Sequence, residues 1–466
     1  MKKAVEELAV SLKSSFKGDL LQTGRRGFDE ARVVWNSLVA RTPALIARCA
    51  DTSDVQTVVR AAAAAGILTA VRCGGHSLAG FSTCEEGLVI DHTRMRHVTV
   101  DEKNRRAHAE GGCLLASIDS ATQRAGLVFP AGVVSHTGAG GLILGGGTGW
   151  LTRMFGMSCD NVARFTLVAA DGSIVHASSN ENTELYWALR GGGGNFGVVT
   201  QFELQLHPLT SVLLASGFCG KDDIFAVLQF WRRYMPGAPD ELKWNLSLRL
   251  APDLPAIPAA LRGRPVLSQS LLWSGDHAKG LQLVDNIFSV GNPCGVTKDV
   301  LPYLTLQTMA DAEFPHGRRY YTKSGYFQSL GDDSITHMVN SLSTVPSRNT
   351  QIELAYLGGA AGRVAASETA FGDRSAPFIV NLLADWSRPE DDALNIAWVR
   401  ELFGKLRPAM KPGVYVNFMS GDEKDRVHEA YHERWDRIVA VKSHYDPKNF
   451  FRLNQNVPPV YAPGKG

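Results

Sequence analysis

Along the first two hundred residues, the spacing of apolar and polar residues predicts short strands alternating with helices. Residues 52–54 are of the types that cap helices, and valines at helical spacing follow them, which predicts a helix ending near Gly66. Apolar runs at 66–71 and 88–91 predict two short buried strands. A further helix is predicted over 114–125.

A β-hairpin is predicted next, because the turn residues Asp171 and Gly172 separate apolar runs at 164–170 and 173–177. A short helix is expected over 184–189, and residues 196–206 alternate as a strand does. Hairpins mixed with helices and strands favour an α+β arrangement over a regular βαβ array.

The pattern changes after residue 208, where we predict a domain boundary near 208–212. Strand-like alternation recurs at four places, separated by helical segments: 244–250, 351–357, 378–383 and 414–418. This pattern is typical of an antiparallel sheet covered by helices on one face. A helix over 422–442 and an irregular tail are expected to follow.

Alternate residues of a strand share one face of the sheet, and three of these strands carry polar residues on one face. The polar residues are Asn245, Ser247 and Arg249, then Gln351 and Glu353, then Tyr415 and Asn417. Such a face can line a reaction chamber or lie in solvent, and the pattern leaves both interpretations open.

Composition and charge exclude several classes of protein. Lys+Arg 48 against Asp+Glu 46 gives a net charge of +2, so neither a nucleic acid nor an anionic membrane is an expected partner. No apolar run is long enough to span a membrane, and no signal peptide is recognisable. The 7 cysteines are scattered without a CxxC pair, which predicts reduced thiols and a cytoplasmic location.

Glycine clusters carry the strongest chemical signal. In 72–77, two glycines precede His76, and a tight glycine turn whose N–H groups point outward can bind an anion. Residues 138–150 contain seven glycines, as expected where backbone lies against a large planar or pyrophosphate ligand. Residues 192–197 match G-x-G-x-x-G, but the predicted helix precedes them and the strand follows, so an NAD site is rejected.

His428 and His432 match H-E-x-x-H, the pattern of a zinc site on a helix. The apolar stripe of the predicted helix runs beside these histidines, which places them toward solvent. No third ligand pattern follows them, so no metal site is predicted, and a zinc hydrolase is only a remote alternative.

These motifs together resemble the vanillyl-alcohol-oxidase flavoproteins, and within them the berberine-bridge-enzyme-like branch. The resemblance covers nearly the whole chain and is carried by Arg72-Cys-Gly-Gly-His-Ser77, 130–141, 145–149, 190–197 and Tyr445-Asp-Pro-Lys-Asn-Phe-Phe. Residues 130–141 and 454–459 are further similar to flavoenzymes of the enterocin type.

The resemblance implies a two-domain PCMH-type FAD-binding fold of the α+β class. Residues 1–210 would form the FAD-binding domain and 211–420 a substrate-binding domain built on an antiparallel sheet covered by helices. Residues 421–466 would return to the FAD domain.

The resemblance also implies FAD attached to His76 through the flavin 8α-methyl carbon. Many members carry a second flavin-linking cysteine where this chain has Val134, so a single covalent bond is expected. The other residues expected to hold FAD are Arg72, Cys73, Gly74, Gly75, Ser77, Gly132, Val133, Gly138, Gly141, Gly145, Thr148, Val199, Asn454 and Asn456.

The predicted function is oxidation of a small organic substrate, an alcohol, amine, sugar or polyketide-like molecule, with O₂ as acceptor. Glu353 or Tyr415 would be the base, with Asn417 beside them, and hydride would move to the flavin. Substrate contacts are expected from Ser247 and Arg249, with Tyr320, Tyr321 and Lys323 as weaker candidates.

Two alternatives remain at this point. An enterocin-type oxygenase would insert oxygen into a polyketide, and a flavin-binding carrier would show colour without turnover. The oligomeric state is open, with a homodimer as one hypothesis.

Overall fold

The computed structural model describes residues 2–460 of the chain. Met1 and residues 461–466, the end of the predicted C-terminal segment, lie outside the described residues.

The N-terminal part of the chain builds three small sheets. The four-stranded sheet has the order β1-β2-β4-β3, the five-stranded sheet β5-β6-β10-β8-β9, and β11 pairs with β7. These strands are β1 (Asp19–Leu21), β2 (Leu45–Arg48), β3 (Thr69–Arg72), β4 (Leu88–Asp91), β5 (Val98–Asp101), β6 (Arg106–Glu110), β7 (Leu127–Val128), β8 (Val162–Val168), β9 (Ile174–Ser178), β10 (Val198–Gln205) and β11 (His207–Pro208). The helices are α1 (Lys2–Leu12), α2 (Phe28–Arg32), α3 (Thr52–Ala64), α4 (Leu115–Gln123), α5 (Ala139–Leu144), α6 (Thr152–Phe155) and α7 (Thr183–Leu189).

Helix α3 shows how local sequence determines an element here. The Asp51 side chain accepts a hydrogen bond from the Asp54 N–H and caps the helix, one residue before the capping residues predicted at 52–54. Val55, Val58 and Val59 then form a fully buried stripe. Helix α3 thereby packs its apolar face into the core beside β2 and β4.

The second part of the chain is one antiparallel sheet of seven strands in the order β15-β12-β14-β13-β17-β18-β16. Its strands are β12 (Ser211–Gly220), β13 (Leu242–Leu250), β14 (Pro265–Trp273), β15 (Cys294–Pro302), β16 (Arg319–Phe327), β17 (Gln351–Tyr356) and β18 (Phe378–Trp386). The helices are α8 (Lys221–Tyr234), α9 (His277–Phe288), α10 (Tyr303–Met309), α11 (Asp332–Ser341), α12 (Gly359–Arg363) and α13 (Asp392–Leu406).

Helices cover one face of the seven-stranded sheet, as predicted. Trp244, Leu246 and Leu248 of β13 are buried in a core that also contains Trp231 of α8 and Leu402 of α13. The polar residues of the same strands therefore lie on the other face, and that face lines the functional site.

The chain ends with α14 (Val427–Tyr431) and α15 (Trp435–Tyr445), which pack on the N-terminal part. Lys442 of α15 is buried, and its Nζ donates to the carbonyl of Asn195 at 2.9 Å and to Asp446 at 2.5 Å. Phe450 and Phe451 join the core of the four-stranded sheet.

Most predicted elements are confirmed, including the hairpin of β8 and β9 and the helix-before-strand order around 192–197. Two predictions are wrong. Residues 414–418 contain a 3₁₀ helix, Val416–Phe418, instead of a strand, and Gly413 before it has a φ of 119°. The helix predicted over 422–442 is broken at His432, whose φ is 41°.

Candidate functional site

One large cavity, of about 410 Å³, lies between the glycine-rich loops and the polar face of the seven-stranded sheet. Its walls come from the loop after β3, from 132–148, from 193–199 and from the tail at 451–455. Glu353, Asn381 and Leu383 line it from the sheet. The cavity therefore joins the two parts of the chain.

The two glycine loops that form its wall contact each other through backbone. A Cβ at Gly74 would collide with the backbone of Gly138, and a Cβ at Gly138 would lie 2.7 Å from the Cys73 sulfur. Gly75 has a φ of 73°, which side chains rarely adopt. Glycine is therefore required here for the loops to approach each other.

Most residues predicted to hold FAD line this cavity. They are Cys73, Gly74, Gly75, His76, Ser77, Gly132, Val133, Gly138, Gly141, Thr148, Val199 and Asn454.

Arg72, Gly145 and Asn456 are not among the residues that line the cavity. The Arg72 guanidinium donates to the carbonyls of Ala31 and Val33 and so ties the end of β3 to the C-terminal end of α2. Gly145 packs closely on Asn417, and a Cβ added at Gly145 would collide with the side-chain amide of Asn417. We therefore do not assign these three residues a direct contact with the cofactor.

His76 lies among aromatic rings and two other histidines. Its Nε2 is 2.8 Å from Nδ1 of His136, and the ring stacks on Trp35 at 4.8 Å between centroids. Burial, followed by repulsion from His136 and His316, lowers the pKa of His76 to about 2. The imidazole is therefore neutral, and its nitrogen lone pair is available for bonding.

One ring nitrogen from each of His76, His136 and His316 lies within 4.8 Å of the others, which is close enough for the three to bind one metal ion. The 2.8 Å separation of the first two is a hydrogen-bond distance, so a shared proton accounts for it. Sequence analysis missed this cluster because its members are far apart in the chain and follow no spacing rule.

The H-E-x-x-H match does not form a zincin site. His428 and His432 are both exposed, and the helix that would align them ends at Tyr431. His428 instead contacts the ring of Trp435, with centroids 4.8 Å apart.

Glu353 is on the cavity side of the sheet, as its alternation predicts. It faces Asn381 across β17 and β18, and the Asn381 amide donates to Glu353 Oε2 at 2.7 Å. Burial raises the pKa of Glu353, while the Asn381 hydrogen bond opposes that shift. Asn381 itself was not predicted, although alternation along 378–386 places it on the same face as Leu383.

Tyr415 and Asn417 also line the cavity, although the strand predicted to hold them is absent. The Tyr415 hydroxyl accepts from the Gly147 N–H at 3.0 Å and from the Asn417 amide at 2.9 Å. Burial raises the pKa of Tyr415 to about 12. The hydroxyl is therefore neutral near pH 7.

The predicted substrate residues fall into three groups. Ser247 shares the polar face but donates to Gln351 at 2.9 Å, and Arg249 pairs with Glu313 at 3.0 Å; neither lines the cavity. Tyr320 is on the cavity side of the sheet and stacks on Trp35 at 3.8 Å.

Tyr321 and Lys323 point to the opposite, helix-covered face, so the prediction that they contact substrate is wrong. The Tyr321 hydroxyl donates to Asp422 at 2.7 Å, and Lys323 Nζ lies 3.2 Å from the same carboxylate. Both side chains also contact the region of α13 through Arg400 and Phe403.

Comparison with known proteins agrees with the cofactor chemistry. A family model described as FAD binding domain matches residues 43–178, and one described as berberine and berberine like matches 414–458. An FAD-linked oxidoreductase of Dictyostelium discoideum is 31% identical, over 91% of this chain and 91% of that protein.

(R)-6-hydroxynicotine oxidase of Paenarthrobacter nicotinovorans is 27% identical, over 96% of this chain and 97% of its own length. The crystal structure of 6-hydroxy-D-nicotine oxidase from Arthrobacter nicotinovorans superposes with a TM-score of 0.84 at 26% identity, covering 95% of this chain and 98% of that one. None of the helices described in residues 2–460 has the length and apolar character needed to cross a membrane.

Proposed function

Because the chain belongs to the berberine-bridge-enzyme-like family of FAD-linked oxidoreductases, we propose that it oxidises a small organic substrate with O₂ and holds FAD by one covalent bond to His76. The observation that carries this proposal is the cavity itself, whose lining includes a neutral histidine from the loop after β3 and a half-buried carboxylate from β17. The enzyme would take an alcohol, amine, sugar or polyketide-like molecule.

The lining residues fit FAD. Glycine backbone forms much of the wall, and N–H groups of such loops bind phosphate oxygens without a cationic side chain. His92 Nε2 and Asn454 Oδ1 belong to lining residues and are buried without a hydrogen-bond partner among residues 2–460. Residues 73–77 and 132–148 would hold the pyrophosphate and the flavin ring, and Val199 the adenine.

His76 would form the covalent bond through Nδ1. Its Nε2 is occupied by His136, so Nδ1 is the nitrogen left for the flavin 8α-methyl carbon. Val134 also lines the cavity at the position of the second attachment in related enzymes, and its side chain has no nucleophile. The proposal is therefore a single histidyl linkage.

Bound FAD supplies a two-electron acceptor for hydride from the substrate. Glu353 would take the substrate proton at Oε1, because Oε2 is already held by Asn381. Tyr415 accepts two hydrogen bonds, which leaves its own O–H proton free to bind a substrate oxygen or nitrogen. Tyr415 would thus orient the substrate, with Asn417 fixing the phenol.

We propose the cytoplasm as its compartment, because all seven cysteines are free thiols, as is usual in reducing surroundings.

Turnover under ¹⁸O₂ tests the proposed function. An oxidase releases the label as hydrogen peroxide and leaves the product unlabelled, whereas an enterocin-type oxygenase incorporates the label. Purified protein that is colourless, or coloured and inert toward O₂ with a panel of amines, alcohols and sugars, would contradict the proposal.

A further inference from the structure

Three histidines from separate segments of the chain meet beside the cavity. His76 comes from the loop after β3, His136 from the segment 132–148, and His316 from the segment between α10 and β16. One ring nitrogen from each lies within 4.8 Å of the others. The ring centroids of His136 are 4.8 Å from those of both His76 and His316, and the latter two are 5.6 Å apart.

This spacing is close to the one that a metal ion requires of three imidazoles. Zn²⁺ holds histidine nitrogens at about 2.0–2.1 Å, so the nitrogens of two tetrahedral ligands lie roughly 3.3 Å apart. Because each ring centre lies about 1.1 Å behind its nitrogen, the ring centres of two such ligands lie roughly 5.2 Å apart. The observed separations of 4.8 and 5.6 Å bracket this value. Small rotations of the rings therefore suffice to bring the three nitrogens around one ion.

Backbone contacts through Trp35 hold two of the histidines in place. The Trp35 N–H donates to the carbonyl of Gly75 at 3.1 Å, and the Gly317 N–H donates to the carbonyl of Trp35 at 3.1 Å. One residue thus ties together the chain neighbours of His76 and His316. The Trp35 ring also stacks on the ring of His76.

His136 is positioned by the residue before it. The Ser135 N–H and hydroxyl both donate to the Asp311 carboxylate, at 2.8 and 2.6 Å. That carboxylate is a negative charge close to the His136 ring, whereas the Arg72 guanidinium is a positive charge close to His316. The two charges act in opposite directions on a bound cation, so its affinity must come from the three nitrogens themselves.

The hydrogen bond between His76 and His136 is compatible with a metal site. Nε2 of His76 and Nδ1 of His136 are 2.8 Å apart and share one proton. A metal ion that binds both nitrogens displaces this proton to another ring nitrogen or to water, as metal binding to histidine generally does. The proposed bond to flavin uses Nδ1 of His76, so flavin and metal would occupy different nitrogens of the same ring.

We propose that His76, His136 and His316 form a binding site for Zn²⁺ or a similar divalent metal ion, with a fourth position open to water. His316 is exposed, so an ion can reach the site from solvent. Imidazole nitrogens suit Zn²⁺ and Ni²⁺, whereas Mg²⁺ prefers oxygen ligands. Because the three histidines come from both parts of the chain, a bound ion would join these parts and stabilise the folded protein. The inference goes beyond the proposed oxidase function and does not depend on it.

Calorimetric titration of the flavin-loaded protein, prepared without a histidine tag, with ZnCl₂ tests the site. One Zn²⁺ ion is expected to bind per chain, and MgCl₂ is expected not to bind. His316→Ala should weaken Zn²⁺ binding at least about tenfold, since loss of a group that only supports a metal ligand already costs about 10–100-fold. His428→Ala removes an exposed histidine outside the cluster and should bind Zn²⁺ as the unmutated protein does.

Thermal unfolding gives a second measurement that requires no turnover. The melting temperature of the unmutated protein should rise with the concentration of Zn²⁺, as it does for a ligand that binds only the folded state, and that of His316→Ala should not. Anomalous diffraction at the zinc edge should place the ion between the three rings.

Three results would overturn the site: no Zn²⁺ binding to the unmutated protein, equal Zn²⁺ affinity in His316→Ala, or loss of binding in His428→Ala. These results would leave the oxidase proposal standing, since that depends on flavin content and O₂ consumption.

Discussion

His76 occupies a position that suits one chemical task. Stacked on Trp35 and hydrogen-bonded to His136, its ring is held in one orientation and kept neutral. A neutral imidazole is the nucleophilic form, so the same burial that would be costly for a charged histidine favours covalent attachment.

For His76→Ala we expect complete loss of acid-stable flavin. Acid precipitation of the unmutated protein should leave FAD in the pellet, and its intact mass should equal polypeptide plus one FAD. His428→Ala removes an exposed histidine and should leave the attachment unchanged. Release of all FAD from the unmutated protein on denaturation would contradict the proposed linkage.

Glu353→Gln should slow flavin reduction by substrate about 10²–10⁴-fold, the usual effect of removing a general base. Gln keeps the shape and the hydrogen bond from Asn381 but cannot take a proton. Stopped-flow absorbance measures the reduction, with Glu401→Gln as the control. A smaller loss is expected for Tyr415→Phe, because Tyr415 orients the substrate; a larger loss in that variant would transfer the role of base to Tyr415.

The sequence located some of these residues and missed others for identifiable reasons. Alternation along β17 predicts Glu353 on the cavity side. Its neighbours Ile352 and Leu354 are apolar and face the helix-covered core, so Glu353 between them faces the other way. Along β16, Tyr320 to Ser324 mix polar and aromatic residues on both faces. No phase can be deduced there, so the sequence does not show that Tyr321 and Lys323 lie on the helix-covered face.

At the scale of elements, α5 brings a glycine helix to the cavity wall. Gly141 lines the cavity, and a Cβ built on it meets no atom within 4 Å. A side chain at this position therefore enters the space that we assign to FAD without disturbing the protein packing.

Gly141→Leu is expected to lower the flavin content of the purified protein by about half or more, because the added side chain overpacks the cofactor site. Gly404→Leu is a matched control, since Gly404 also meets no atom within 4 Å but is exposed on α13. The ratio of flavin to protein absorbance measures the effect. Full flavin content in Gly141→Leu would show that α5 does not border FAD.

The buried ammonium group of Lys442 joins helix α15 to the tail that follows it and to the loop at 193–199. Lys442 Nζ bonds Asp446, the Asn195 carbonyl and the Phe451 carbonyl, and the Asp446 carboxylate also accepts the N–H groups of Phe450 and Phe451. This network fixes the tail against the loop at 193–199, and both segments line the cavity.

Removing one partner of such a pair leaves the other charge buried, so Lys442→Met should lower the free energy of local opening by about 3–5 kcal/mol. Hydrogen exchange over residues 436–457 measures this opening. The exposed Lys448→Met serves as control and should exchange like the unmutated protein. Equal protection in Lys442→Met and Lys448→Met would show that apolar packing alone holds the tail.

Two elements could not be predicted from periodicity because single residues interrupt them. Gly413, whose φ is 119°, directly precedes residues 414–418, where a 3₁₀ helix at Val416–Phe418 replaces the predicted strand. His432 has a φ of 41° and divides the C-terminal helix, although the apolar stripe at Val427, Tyr431 and Ile438 continues across the break. The spacing of apolar residues indicates which side of a helix or strand is buried, but it does not indicate where the backbone changes direction.

At the scale of the whole molecule, the two parts of the chain are joined by polar contacts beside the loop that contains Gly132 and Val133. The Ser135 hydroxyl donates to Asp311 at 2.6 Å, and Gln307 Nε2 donates to the Gly132 carbonyl at 3.1 Å. The same Gln307 amide reaches Asp119 of α4 at 3.0 Å. The segment after β15 thus bonds to the loop that contains Gly132 and Val133.

Asp119 makes this junction sensitive to pH. Burial raises its pKa to about 7, and the hydrogen bond from Gln307 opposes that shift only in part. Within the part of the chain that the structure describes, its Oδ1 has no hydrogen-bond partner, and the nearby Tyr303 hydroxyl is also buried without one.

The sign of the effect follows from proton binding. In the unfolded chain an aspartate has a pKa of about 3.9, so between about pH 4 and pH 7 the folded protein binds one more proton than the unfolded chain. The contribution of Asp119 to stability is therefore present below about pH 4 and is lost as the pH rises through about 7. Its full size is on the order of 4 kcal/mol.

Asp119→Asn removes this dependence, because asparagine keeps an acceptor for Gln307 and never ionises. Relative to the unmutated protein, the variant should gain stability steadily from pH 4 to pH 8, which urea unfolding at several pH values measures. Asp51→Asn is the control: Lys17 lowers the pKa of Asp51 to about 2, so its contribution is lost only as the pH falls below about 4. A stability difference between Asp119→Asn and the unmutated protein that stays constant from pH 4 to pH 8 would show that Asp119 does not titrate at the junction.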